Sequence, residues 1–351
     1  MNGRHITEAT ATRGIAMIGV VVIHSTAAAA SNATFGWNNQ LVYLIINKMA
    51  SFAVPAFILL SGFVLCVRYE KPGKWKDLLQ FYKNRFWFLL IPYLLWSLLY
   101  HVYHNLGTGE SFYIWLKIYL TDLCSGAASY HLYFVPLIAQ YYLITPVVLW
   151  LLHVLRNRNI VNLFLVLLAI AASIQMVTGI GNQTFQWMDN KSILASTYLV
   201  CFALGCCLGR YYEAYSMWIK QKRIILYGLT VVLLMLHIEK YLLLFSGWTF
   251  YWLFSELLVQ AYCIFATLSL IEASKKLVKL RIISTVLLYL GKFSLIIYLF
   301  HPFVLLLCDR IFISFPEFAF ILLSTCLGLA VPLAFGVIIK KWHWSWILMG
   351  K

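Results

Sequence analysis

Few residues in this chain are of a type that does chemistry, and most of those interrupt long apolar runs. Arg13 and His24 stand eleven residues apart. On an α-helix that spacing returns to within about 20° of the same face, about 16 Å further along the axis. Arginine presents a planar fork of donors suited to phosphate. Neutral imidazole is suited to taking a proton near pH 7. One helix carrying both could touch two ends of a long ligand. Each alone also has a plain reading, Arg13 as a cationic helix anchor and His24 as a hydrogen-bonded packing residue.

Other polar residues extend the set. Tyr130 and His131 stand in Ser129-Tyr130-His131-Leu132-Tyr133-Phe134, and Tyr298 and His301 are i and i+3, neighbours on one helix face. The first group could equally be an interfacial aromatic belt, the second a pair that satisfies itself. Lys83 and Arg85 close the longest basic loop, residues 68–85. That loop reads as a contact for anionic lipid or as a cationic funnel for a phosphorylated donor. Glu256, with Gln260 four residues on, reads as the structural mate of a His or Arg, with a proton acceptor as the alternative. No CxxC or His-x-x-x-His spacing suggests a metal site.

The elements that must hold these residues are membrane helices. Of 351 residues, 62% are hydrophobic and 11% charged, where soluble domains have about 45–50% and about 25%. That excludes a soluble globule, a disordered chain and a small disulfide scaffold. Apolar segments near the roughly 20 residues a spanning helix needs fall at 13–31, 45–67, 86–104, 133–155, 160–178, 192–210, 223–238, 249–271, 284–307 and 317–339. The seventh is short. Residues 112–123, broken by Lys117 and Asp122, read as interfacial or re-entrant.

The net charge of +15 would suggest nucleic acid in a soluble protein, but here it records topology. With Lys48 and Lys292 set aside at span edges, 21 Lys and Arg fall on one side of the ten spans and 4 on the other. The basic side should be cytoplasmic, with both termini there. The first apolar segment is too long for a cleaved signal peptide and leads directly into a second span. The expectation is an all-α integral membrane protein, about ten transmembrane helices in one bundle, with residues 1–351 forming a single domain and no nucleic-acid partner.

At this point the sequence resembles the membrane acyltransferase family 3. The resemblance rests on Arg13-Gly14 followed by His24, Phe57-Ile58-Leu59-Leu60-Ser61-Gly62-Phe63, Arg85-Phe86-Trp87-Phe88-Leu89-Leu90-Ile91-Pro92-Tyr93, His131-Leu132-Tyr133-Phe134, and Ser294 to His301 with Tyr298 between them. Their order on a ten-span frame covers nearly the whole chain. Many members carry a second Arg where this chain has Phe88. The resemblance implies transfer of an acyl group, commonly acetyl, from cytosolic acyl-CoA to a hydroxyl of a carbohydrate or cell-envelope polymer outside, with Arg13 and His24 as the essential pair. Acyl-CoA would then bind at Arg13, Lys83 and Arg85, and His24 would act as general base or form an acyl-His. Tyr130, His131, Tyr298 and His301 would bind the acceptor. A transporter or flippase for a polysaccharide or lipid-linked sugar, with no acyl chemistry, is the competing expectation. Transporters of that kind often show two related halves, and no such symmetry is evident in the sequence.

Overall fold

The computed structural model describes residues 7–31, 39–69, 75–106, 109, 111–154, 169–179 and 193–350. Of the described residues 87% are helical, and none of them lies in a strand. Among the described residues, seven helical stretches are long and apolar enough to cross a membrane: Gln40–Arg68, Leu79–Asn105, Phe134–Leu151, Tyr212–Phe245, Trp252–Leu277, Ser294–Ile311 and Glu317–Ile339. Ala169–Gly179 and Ala195–Arg210 are apolar but shorter. Much of the expected fifth span, residues 160–168, lies outside the described residues. The chain falls into two compact bodies, each built from two distant stretches of sequence.

The first body comprises Met1–Val64 and Tyr211–Gly336. Its helices are α1 (Thr7–Ser25), α2 (Ala27–Ser31), α3 (Asn39–Met49) and most of α4 (Ala53–Arg68), followed after the second body's α5–α10 by α11 (Tyr212–Phe245), α12 (Trp252–Leu277), α13 (Arg281–Lys292), α14 (Ser294–Ile311) and most of α15 (Glu317–Ile339). α1 is its centre, because small residues let neighbours approach on several faces. A Cβ on Gly14 would stand 2.3 Å from the Leu287 carbonyl oxygen, and one on Gly291 would stand 1.9 Å from that of Thr10. α1 and α13 therefore meet backbone to backbone, through a glycine on each side. Gly19 faces the Ala53 side chain, and Gly328 of α15 faces Val21. Thr12, fully buried, donates to Ser274 of α12 at 3.0 Å.

Three expected boundaries shift here. α1 starts at Thr7, and the expected span 13–31 breaks at Thr26. The expected span 284–307 is two helices, α13 and α14, joined at buried Phe293. The expected short span 223–238 is the middle of α11, whose 34 residues make it the longest helix described.

The second body comprises Leu65–Arg210 and Val337–Lys351. Its helices are α5 (Trp75–Arg85), α6 (Ile91–Asn105), α7 (Phe112–Ser125), α8 (Phe134–Val154), α9 (Ala169–Gly179), α10 (Leu199–Arg210) and α16 (Trp346–Met349). α5 runs into α6 through a π-helical turn, Phe86–Leu90. Pro92 has no N–H for the Phe88 carbonyl, and the wider turn absorbs that mismatch. α7, mostly exposed, ends at Gly126 with φ +70°. A Cβ there would lie 2.5 Å from the Tyr133 Cα, so glycine is required twice over. Gln140 of α8 ties down the chain entering α10: its amide donates to the Ile193 carbonyl at 2.7 Å and accepts from the Ala195 N–H at 3.1 Å.

Candidate active site

The first body brings His24 and His301 together. Their ring centroids lie 5.4 Å apart at 34°, although 276 residues of chain separate them. His301 is fully buried on α14. Its Nδ1 lies 2.9 Å from the Ile297 carbonyl oxygen, one turn back. A carbonyl can only accept, so Nδ1 carries the proton and Nε2 is the basic nitrogen. Tyr298 lies beside it, ring centroids 6.4 Å apart. Pro302 follows His301 and cannot supply the helical N–H for the Tyr298 carbonyl, so polar backbone concentrates at this turn.

The end of α1 that carries His24 is braced by neighbours that sequence reading passed over. Asn47 of α3 donates to the Ile23 carbonyl at 2.9 Å and to the Thr26 hydroxyl at 3.1 Å. The Thr26 hydroxyl in turn donates to the Val22 carbonyl at 2.7 Å. Ser25 and Thr325 of α15 share a hydrogen bond at 2.7 Å. Asn47 thus holds the backbone on both sides of His24 where the helix breaks. The only signal for it in the sequence was an amide side chain inside an apolar run.

Arg13 occupies the same helix eleven residues earlier, half-buried, as its spacing required. Five residues before it, Glu8 accepts a hydrogen bond from the Tyr212 hydroxyl. Glu256 accepts from Gln260 of its own helix at 2.9 Å, where a His or Arg mate was expected.

The remaining candidates belong to the second body. Lys83 is exposed. Arg85 lays its guanidinium over the rings of Tyr142, 4.5 Å from the centroid, and Phe81, at 5.3 Å. His131 does not open a helix. It sits in the turn before α8, 1% exposed, with Nδ1 3.1 Å from the Ser129 hydroxyl and its ring edge-on to Tyr100. Tyr130 beside it is 55% exposed. A pair missed in the sequence also lies in this body: His101 Nδ1 and Asp122 Oδ2 are 3.1 Å apart, with Trp115 against the imidazole. Among the described residues, no group of three or more His, Cys, Asp or Glu side chains could hold a metal ion.

Comparison with known proteins gives the family of the chain. No curated protein and no solved structure matches the chain. The family model described as an acyltransferase domain matches residues 7–337, from the start of α1 nearly to the end of α15. Its span takes in Arg13, His24, Lys83, Arg85, His131, Tyr298 and His301. With nearly the whole chain matched and seven helices able to cross a membrane, the protein belongs to the membrane acyltransferase family 3 and is a multi-pass membrane acyltransferase.

Proposed function

We propose that the protein moves an acyl group, acetyl in the simplest case, from cytosolic acyl-CoA to a hydroxyl of a carbohydrate or other cell-envelope polymer on the far side of the membrane. The observation that carries this reading is the meeting of His24 and His301 inside the first body, 5.4 Å between ring centroids. A hydroxyl is a poor nucleophile until its proton has somewhere to go, and a positioned imidazole contributes about 10²–10⁴-fold. In this reading His24 takes the acceptor's proton as the hydroxyl oxygen bonds to the thioester carbonyl carbon. The C–S bond then breaks, and the departing thiolate takes the proton from His24. The products are the ester and free CoA, and His24 ends neutral as it began. His301 offers its Nε2 lone pair and, with its tautomer set by the Ile297 carbonyl, serves as a positioning residue.

Arg13, about 16 Å down the same helix by its rise, is assigned to the phosphates at the nucleotide end of acyl-CoA. Lys83 and Arg85 remain candidates for phosphate contact, and Tyr130, His131 and Tyr298 for the acceptor. The basic ends of the spans favour cytoplasmic termini and thus a cytosolic donor. The test is transfer of radiolabelled acetyl from acetyl-CoA by the purified, membrane-reconstituted protein to its native polymer. His24→Ala should abolish transfer while leaving acetyl-CoA binding intact. Full transfer by that variant would remove His24 from the mechanism.

A further inference from the structure

A second polar cluster lies in the first body, and acyl transfer makes no use of it. Lys48 of α3 and Lys240 of α11 direct their ammonium groups at one ring. Their Nζ atoms stand 4.4 and 4.5 Å from the Tyr241 centroid, which puts them within about 9 Å of each other. The surrounding frame is rigid. His237, one turn before Tyr241, pairs its Nε2 with the Ser51 hydroxyl at 3.2 Å and stacks on Tyr262 at 5.1 Å. The Tyr262 hydroxyl donates to the Met49 carbonyl at 2.5 Å.

The cluster is cationic, with Lys48 half-buried and the other two polar groups buried. Lys240 is 5% exposed and His237 1%. Among the described residues, neither ammonium has a carboxylate within ion-pair distance or a hydrogen-bond acceptor, and the buried Nδ1 of His237 has no hydrogen-bond partner. The acidic group whose charge reaches Lys240 is Glu256, and its carboxylate is engaged by Gln260. A cation over a tyrosine face gains about 0.5–2 kcal/mol, whereas withdrawing an ion from water costs several. Placing a second cation beside it adds repulsion. Buried charges are usually paired, and among the described residues neither ammonium meets an opposite charge or a carbonyl.

We propose that Lys48 and Lys240 form a phosphate-binding site, with His237 as its third polar wall. Two ammonium groups brought from different helices act as point charges, the manner in which lysine binds phosphate. The phosphate comes from a lipid headgroup or from a soluble phosphate. α3 links the two clusters: Asn47, next to Lys48 in the chain, donates to the Ile23 carbonyl beside His24. It does not depend on the acyl-transfer reading, because an anion can bind here whether or not His24 acts as a base.

The test uses the full chain in dodecylmaltoside, which carries no phosphate. Thermal unfolding is followed while inorganic phosphate is titrated at constant ionic strength, and separately in mixed micelles with phosphatidylglycerol. Stabilisation by inorganic phosphate identifies a soluble source, and stabilisation by phosphatidylglycerol alone identifies a headgroup; both support the site. Lys48→Gln and Lys240→Gln, singly or together, should weaken the effective ligand about tenfold or more, while Lys222→Gln, exposed elsewhere on α11, should respond as wild type. No stabilisation of the wild-type protein by either ligand overturns the proposal without recourse to any variant. So does an equal response from wild type and a folded Lys48→Gln/Lys240→Gln protein.

Discussion

Gly291→Ala adds one methyl group where α13 crosses α1. The new Cβ would stand 1.9 Å from the Thr10 carbonyl oxygen and 2.9 Å from its carbon, with the Thr10 Cγ2 at 3.1 Å. Real Cβ contacts essentially never fall below 3.0 Å, and the obstructing atoms are backbone, so the helices must part by about 1 Å or more. Overpacking of this kind costs about 1–3 kcal/mol. The displacement should also reach the site, because α13 runs through the Phe293 joint into α14, which carries His301, while α1 carries His24. A 1 Å misplacement of reacting groups can cost about 10²-fold in rate. The variant is therefore expected to unfold at a lower temperature and to lose about one to two orders of magnitude in kcat for acetyl transfer. Its KM for acetyl-CoA should change little, provided Arg13 stays in place. Gly228→Ala is the matched control. It sits on α11 with nothing within 4 Å of the added Cβ, so it should be neutral or gain up to about 1 kcal/mol from helix propensity. If Gly291→Ala unfolds and turns over like wild type, the α1–α13 contact is not the constraint that holds the imidazole pair.

Arg13→Ala should raise the KM for acyl-CoA with a smaller effect on kcat, and Arg13→Lys should restore only part of the loss; an unchanged KM in Arg13→Ala would remove it from the donor site. Asn47→Leu withdraws the donor from the Ile23 carbonyl and the Thr26 hydroxyl, costing about 1–3 kcal/mol, and should lower kcat more than donor KM. If that variant loses stability but keeps full kcat, Asn47 braces the fold and does not position His24. In the second body, Gln140→Leu leaves the Ile193 carbonyl and Ala195 N–H without their side-chain partner and should destabilise by about 2 kcal/mol, measured by thermal unfolding in detergent; an unchanged midpoint would contradict the clamp.

Much of the helical layout was legible in the apolar runs. Residues 317–339 were expected as a span and form α15 over the same limits. The segment 112–123 was expected as a short interfacial or re-entrant piece, and it forms the 14-residue helix α7. The errors have one cause. Hydropathy marks where a helix is apolar, whereas helices begin and end where hydrogen bonding and packing permit. Lys220, Lys222, Arg223, Glu239 and Lys240 looked like the edges of a short seventh span, yet Lys, Arg and Glu are good helix formers, and α11 runs straight through them. The opposite error occurred at 284–307, where the expected span was carried across Gly291-Lys292 and Ser294, which flank the joint at Phe293. There Gly336 of α15 lies so close that a Cβ would stand 2.9 Å from the Phe293 ring.

The sequence by itself determined that the chain is a helical membrane protein, that Arg13 and His24 share one helix, and that its motifs follow the family's order. Those properties are local, set by composition and by the 3.6-residue period. The tertiary structure alone decided that His24 meets His301, that Asn47 braces the turn beneath it, and that Lys48 and Lys240 converge on Tyr241. Each of these joins residues from helices far apart in the chain. Which helices touch is settled by where glycines let backbones close, Gly14 and Gly291 above all, and no periodicity within one helix encodes its partner.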